Sequence, residues 1–101
     1  MSESVPTRRW CVYILRCSDG SLYAGSTNDL EARLRRHNDG RGAKYTAGRR
    51  PVEIAYAEEC PSRSAAQSRE AVIKRWPRTR KEALIGRHAM EKAVPGAARG
   101  V

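Results

Sequence analysis

The sequence predicts an α/β (α+β) fold. A small three-stranded, mostly antiparallel sheet is flanked by helices in the order β-β-α-β-α-α. Three observations lead there. Residues 10–17, WCVYILRC, are an almost unbroken apolar run rich in β-branched and aromatic side chains, as expected of a central strand buried on both faces. Two later stretches carry apolar residues at helical spacing behind a capping residue. The chain has 101 residues, 40% of them apolar, which is enough for one small core and too little for two.

The elements follow in order. The first strand is Trp10 to Cys17. Ser18-Asp19-Gly20 is a turn signal, and Ser21 to Gly25 returns as the second strand. Asn28 with Glu31 reads as an N-cap and its capping-box partner. The helix behind it, LEARLRRHND, stops at Gly40. A basic loop, RGAKYTAGRRP, leads to the third strand, Val52 to Glu59. Pro61-Ser62 opens a second helix that ends near Trp76-Pro77. Thr79 with Glu82 forms another capping box, and a short helix runs to Gly86. Residues 1–8 read as a flexible leader, 9–88 as the folded domain and 89–101 as a flexible Gly/Pro-containing tail.

Lysine and arginine number 20 against 11 acids, a net charge of +9. Such a field on so small a body favours a polyanion, nucleic acid before membrane. The excess sits in two segments. Residues 28–50 hold seven basic and three acidic groups, and residues 61–92 hold nine and three. No apolar run approaches the roughly 18–20 residues of a membrane span, and the N-terminus has no apolar h-region. Cys11, Cys17 and Cys60 are odd in number and lack CxxC spacing. They read as reduced cysteines of a cytoplasmic protein, with no disulfide frame and no structural zinc.

Three groupings carry candidate chemistry. On the first helix, with Leu30 at the centre of the apolar stripe, His37 falls about 20° and Arg33 about 60° to one side. They are i, i+4 neighbours on the rim facing the sheet. The pair either binds an anion, or is an arginine laid over the core beside a histidine satisfied by a carbonyl. On the second helix Glu70 lies on the flank of the apolar face and is the sole acid between Pro61 and Arg80. It either pairs with Lys74 at i+4 or ligates a hard divalent cation. Tyr13 and Tyr23 lie on paired strands. A two-residue Asp19-Gly20 loop puts them on opposite faces. A three-residue Ser18-Asp19-Gly20 loop, with Gly20 left-handed, puts them on the same face.

In combination these residues resemble the GIY-YIG nuclease superfamily. Val12-Tyr13-Ile14 matches its first triplet loosely, with Val12 in place of glycine. Tyr23-Ala24-Gly25 matches the second with one conservative change. Arg33 stands ten residues after the second tyrosine, His37 four further on, and Glu70 on a later helix. The stretch GRGAKYTAGRRPVEIAY, residues 40–56, is similar to the small stand-alone bacterial branch, close to the structure-selective nucleases that cut branched DNA. The resemblance covers about residues 9–86. No Cys or His cluster follows Glu70, so the zinc-binding C-terminal module of branched-DNA members has no counterpart.

The resemblance implies a metal-dependent endonuclease that hydrolyses phosphodiester bonds, in DNA before RNA, with repair or recombination as its setting. Glu70 is the implied ligand of one Mg²⁺ or Mn²⁺. Arg33 is the implied clamp on the non-bridging oxygens, Tyr23 positions or deprotonates the attacking water, Tyr13 hydrogen-bonds the same site and His37 relays the proton. Lys44, Tyr45, Arg49, Arg50 and Lys74 are the expected backbone contacts. Two rival readings stand beside this one: a basic domain that binds nucleic acid without cutting it, and a subunit of a larger repair complex. Glu70 within so basic a site argues for the enzyme.

Overall fold

The computed structural model describes the backbone of residues 9–100 and the side chains of residues 9–90. The leader expected over residues 1–8 lies outside the described residues. The strands are β1 (Cys11–Arg16), β2 (Leu22–Thr27) and β3 (Glu53–Glu59), and the helices are α1 (Leu30–Asn38), α2 (Lys44–Ala47), α3 (Arg63–Arg75) and α4 (Arg78–Gly100). The sheet is antiparallel throughout, in the order β2-β1-β3. The expected fold class is thus the observed one, with β1 at the centre. The addition is α2, a single turn within the stretch expected to be a basic loop.

β1 is central because it has apolar residues for both faces. Cys11 to Leu15 are all buried. Val12 and Ile14 join Ala24, Tyr56, Ile73 and Ile85 on the face covered by α3 and α4. Tyr13 and Leu15 join Cys17 and Val52 on the other face, under Leu30 and Leu34 of α1. The one irregularity in the β1–β3 register falls between Ile14 and Leu15.

The hairpin between β1 and β2 decides where the tyrosines go. The Cys17 amide donates to the Ser21 carbonyl (2.8 Å), and the Gly20 amide donates to the Cys17 carbonyl (2.9 Å). Ser18, Asp19 and Gly20 are therefore the loop, with Gly20 at φ +87°, a conformation that glycine adopts without a Cβ clash. Asp19 braces the turn by accepting from the Ser21 amide and hydroxyl. Leu15 then pairs with Tyr23, and Tyr13 with Gly25. Directly paired residues share a face, so both tyrosines point towards α1.

Helix boundaries needed three corrections. The N-cap of α1 is Asp29, not Asn28: its carboxylate accepts from the Ala32 amide at 3.2 Å, while the Asp29 amide is itself held by the Thr27 hydroxyl. Thr79 is not a cap, because α4 already starts at Arg78 and the Pro77 carbonyl takes the Arg80 and Lys81 amides. Gly86 does not end α4, and residues 89–100, expected as a tail, continue the helix in backbone. Gly86 lacks the positive φ of a terminating glycine, and a helical glycine costs only about 1 kcal/mol. The stops at Gly40 (φ +83°) and Trp76, and the Ser62 cap of α3, fall where the sequence puts them. No helix among the described residues is long and apolar enough to cross a membrane.

Candidate active site

The site is built at the β2 edge of the sheet, from both faces. On the α1 face, Tyr13 is 1% exposed and Gly25 lies directly opposite it. A Cβ on Gly25 would come within 2.5 Å of the Tyr13 hydroxyl. The second triplet ends in glycine because the Tyr13 phenol occupies that space.

His37 projects from α1 into the same layer and is buried. Its ring meets Tyr13 and Tyr23 edge-on, with centroids 6.1 and 5.2 Å apart. Nε2 lies 3.2 Å from the Tyr13 hydroxyl, and Nδ1 lies 2.8 Å from Oγ1 of Thr46 on α2. Thr46 in turn donates to the Ala43 carbonyl at 3.1 Å. Burial, then the charges of Arg33 and Arg36, hold the imidazole below its usual range, so it is neutral near pH 7. Burial pushes the Tyr13 phenol up to about 12, against the positive charge of Arg33, which lowers it. Tyr13 is therefore a hydrogen-bonding phenol and not a base near neutral pH. Arg33 is half-buried on the rim, as its helical angle requires. His37 is almost wholly enclosed, and its Nε2 faces the Tyr13 hydroxyl.

Glu70 comes from the other face. Its carboxylate accepts from the Ser26 hydroxyl (2.6 Å) on β2 and pairs with Lys74 Nζ at 2.9 Å. Ser26 pairs with Val12 across the sheet and so points away from the tyrosines. The two halves nevertheless meet around the strand edge. Lys74 Nζ lies 5.7 Å from the centroid of the Tyr23 ring, and the Glu70 charge contributes to the upward push on Tyr13. Both readings of Glu70 thus have a basis. The i+4 ion pair exists, and through Lys74 the carboxylate is linked to the Tyr23 edge.

The expected backbone contacts divide. Tyr45 is 39% exposed, stacks on Tyr23 (5.9 Å, 27°) and carries the Arg49 guanidinium over its ring at 4.1 Å. Arg49 also bonds Asp19 (3.1 Å) and the Tyr45 carbonyl (2.8 Å), which ties α2 to the hairpin. Arg50 donates to the Ala47 carbonyl at 2.7 Å and the Asn38 carbonyl at 3.4 Å, so it braces the loop. Lys44 is exposed.

Sequence reasoning missed Ser26, Thr46 and the packing roles of Gly25 and Gly42. A Cβ on Gly42 would overlap the His37 ring. Glycines at 25 and 42 are visible in the sequence, but what lies against them is set by long-range pairing. Thr46 sits inside a one-turn helix too short to give a periodic signal.

The donor set suits a hard cation. Among the described residues no group of three or more His, Cys, Asp or Glu gathers. What the site offers is one carboxylate with a hydroxyl beside it, and Mg²⁺ is commonly held by one or two carboxylates, with water and phosphate completing its shell.

Comparison with known proteins agrees with this geometry. The family model described as the GIY-YIG catalytic domain matches residues 9–83. A UPF0213 protein of Bacillus pumilus is 50% identical over 80 residues, covering 79% of this chain and 82% of its own. The UPF0213 protein HQ_3675A of Haloquadratum walsbyi is 55% identical over 73 residues, covering 72% and 82%. The solution structure of the protein EF2693 from E. faecalis superposes with a TM-score of 0.56 at 42% identity, covering 81% of this chain and 88% of that one. The matched span contains both tyrosine triplets, the α1 pair and the α3 carboxylate, and on that span the chain belongs to the GIY-YIG family of nuclease domains.

Proposed function

We propose that the protein is a divalent-metal-dependent endonuclease that hydrolyses phosphodiester bonds in nucleic acid, DNA before RNA, in a repair or recombination setting. The observation that carries the reading is the line of contacts around one strand edge, from Glu70 through Lys74 to Tyr23 and on through His37 to Tyr13, with Arg33 one turn before His37 on α1. The net charge of +9 supports a polyanionic substrate.

Each group has a distinct task. Arg33 donates to the non-bridging oxygens, where charge grows in the transition state. Tyr23, half-buried at the β2 edge beside Lys74, orients the attacking water. Tyr13, bonded to His37, lines the same space. A water oxygen bonds to phosphorus and sheds one proton to solvent as the bond from phosphorus to the leaving oxygen breaks, and the leaving oxygen takes up one proton in its place. Glu70, with Ser26 beside it, would hold one Mg²⁺ or Mn²⁺, which supplies Lewis-acid stabilisation when bound. Lys74 then gives up its ion pair and turns to phosphate. Lys44 and Tyr45 meet the nucleic-acid backbone, with Arg49 and Arg50 behind them. The protein works in the cytoplasm, with a repair-complex partner as a further expectation.

The test is a panel of single-stranded, duplex and branched DNA and RNA, with and without Mg²⁺. Glu70→Ala abolishes metal-dependent cleavage and leaves binding intact or tighter, because a negative charge has left a polyanion site. Arg33→Ala weakens both. If the wild type cuts nothing on the panel, or cuts equally well in EDTA and as Glu70→Ala, the reading is wrong.

A further inference from the structure

We propose that Thr46 is a positioning residue of this site: its hydroxyl fixes the tautomer of His37, and through it the direction in which the Tyr13 proton points. The catalytic half of this inference rests on the nuclease reading, whereas the tautomer half does not.

The argument is one of proton counting. Thr46 is fully buried, and its hydroxyl has two neighbours, the Ala43 carbonyl at 3.1 Å and His37 Nδ1 at 2.8 Å. A carbonyl has no proton to give, so two oxygens 3.1 Å apart need the hydroxyl proton between them, and Thr46 donates it to Ala43. Towards His37 the hydroxyl can then only accept, which places the ring N–H on Nδ1. A neutral imidazole carries one N–H, so Nε2 is a bare lone pair. It must accept from Tyr13, whose hydroxyl is 3.2 Å away. The phenol proton is turned inward. The Tyr13 oxygen offers only lone pairs to the site, so it orients a water by accepting from it and does not donate to a phosphate oxygen.

The reverse chain needs Thr46 to donate to Nδ1 and His37 Nε2–H to donate to Tyr13. It leaves the Thr46 and Ala43 oxygens 3.1 Å apart with no proton between them, although the Ala43 carbonyl keeps the Ala47 amide at 3.0 Å, and it releases the phenol proton into the site. The groups facing His37 are Tyr13 from β1, Tyr23 from β2, Arg33 and Arg36 from its own helix, and Thr46 from α2. Among these Thr46 alone is anchored to an obligate acceptor, and so it sets the polarity of the whole chain. Gly42 keeps the ring in place by leaving no room beside it.

The experiment reads the tautomer and the rate separately. Two-bond ¹H–¹⁵N correlation spectra of the wild type should give His37 a protonated-type shift at Nδ1 and an imine-type shift at Nε2. Thr46→Ser, which keeps the hydroxyl, should retain that pattern and the rate. Thr46→Val, nearly isosteric without it, should lose the single-tautomer pattern. It should also lower kcat by roughly 10- to 100-fold, the usual effect of removing the partner that orients a functional imidazole, with KM unmoved. An Nε2–H tautomer in the wild type overturns the proposal, and so does a Thr46→Val protein with wild-type spectrum and kcat. If Thr46→Val does not fold, the wild-type and Thr46→Ser spectra decide. If the wild type cuts no nucleic acid, the nuclease reading fails while the spectra still test the tautomer.

Discussion

Replacing Glu82 by glutamine should remove a stabilising contact that depends on pH in a defined window. The carboxylate joins β1 to α4. Arg16 donates to it through both terminal nitrogens, at 2.9 and 2.8 Å, and Arg78 adds a third bond at 2.9 Å. Arg78 also donates to the Gly20 carbonyl at 2.8 Å, so the network reaches the hairpin loop. Arg16 first, then Arg78, holds the Glu82 carboxyl down to about 2 from an ordinary 4.5. At 1.36 kcal/mol for each unit of pKa, the ceiling is about 3.4 kcal/mol. The side chain is 33% exposed, and water screens such pairs, so about 1 to 1.5 kcal/mol is the expected share. Because the folded value is depressed, that share is complete above about pH 4.5 and is lost as pH falls towards about 2. Urea unfolding of wild type and Glu82→Gln, followed by tryptophan fluorescence at about pH 7 and about pH 3, measures the difference. The gap should be open at neutral pH and largely closed in acid. A gap that stays constant into acid would mean that Glu82 acts through packing, and no gap at neutral pH would mean that the network contributes nothing.

Three further outcomes are expected. Gly25→Ala should displace the Tyr13 ring, costing about 1–3 kcal/mol in thermal or urea unfolding as overpacking does, and should cut cleavage; a variant with wild-type stability and rate would refute the packing role of that glycine. Lys44→Ala should flatten the plot of log K against log salt by roughly 0.7–0.9, measured by fluorescence anisotropy. Arg50→Ala should leave that slope nearer to wild type and instead lower stability by about 0.5–1.5 kcal/mol, because its guanidinium is spent on the Ala47 and Asn38 carbonyls.

The residues that announce themselves locally were legible. The apolar run of β1, the turn at Ser18-Asp19-Gly20, the Ser62 cap and the stop at Gly40 each carry their signal within a few positions. The sequence left two loop lengths open, and Gly20 at φ +87° selects the one that puts the tyrosines on one face. Asn28 and Asp29 are both good caps, and the choice went to Asp29 because Thr27 holds its amide. Contacts made by distant segments were not legible. Arg49 and Arg50 look alike as loop cations, yet the fold gives one to Asp19 and the other to helix-end carbonyls. Ser26 next to Glu70, and Thr46 under His37, depend on pairings 44 and 9 residues apart that no local pattern encodes.

The division of the site between the two faces of the sheet has a consequence during synthesis. Tyr13, Tyr23, Arg33 and His37 all lie within the first hairpin and α1, whereas Glu70 lies on α3. The carboxylate arrives only when α3 docks on the opposite face and Glu70 reaches Ser26. A nascent chain that has emerged as far as α2 therefore carries cationic grip without Glu70. The carboxylate is thus tied to the core itself: α3, which carries Glu70, also buries Ala66 and Ile73 completely, so Glu70 cannot leave the site unless that half of the core opens with it.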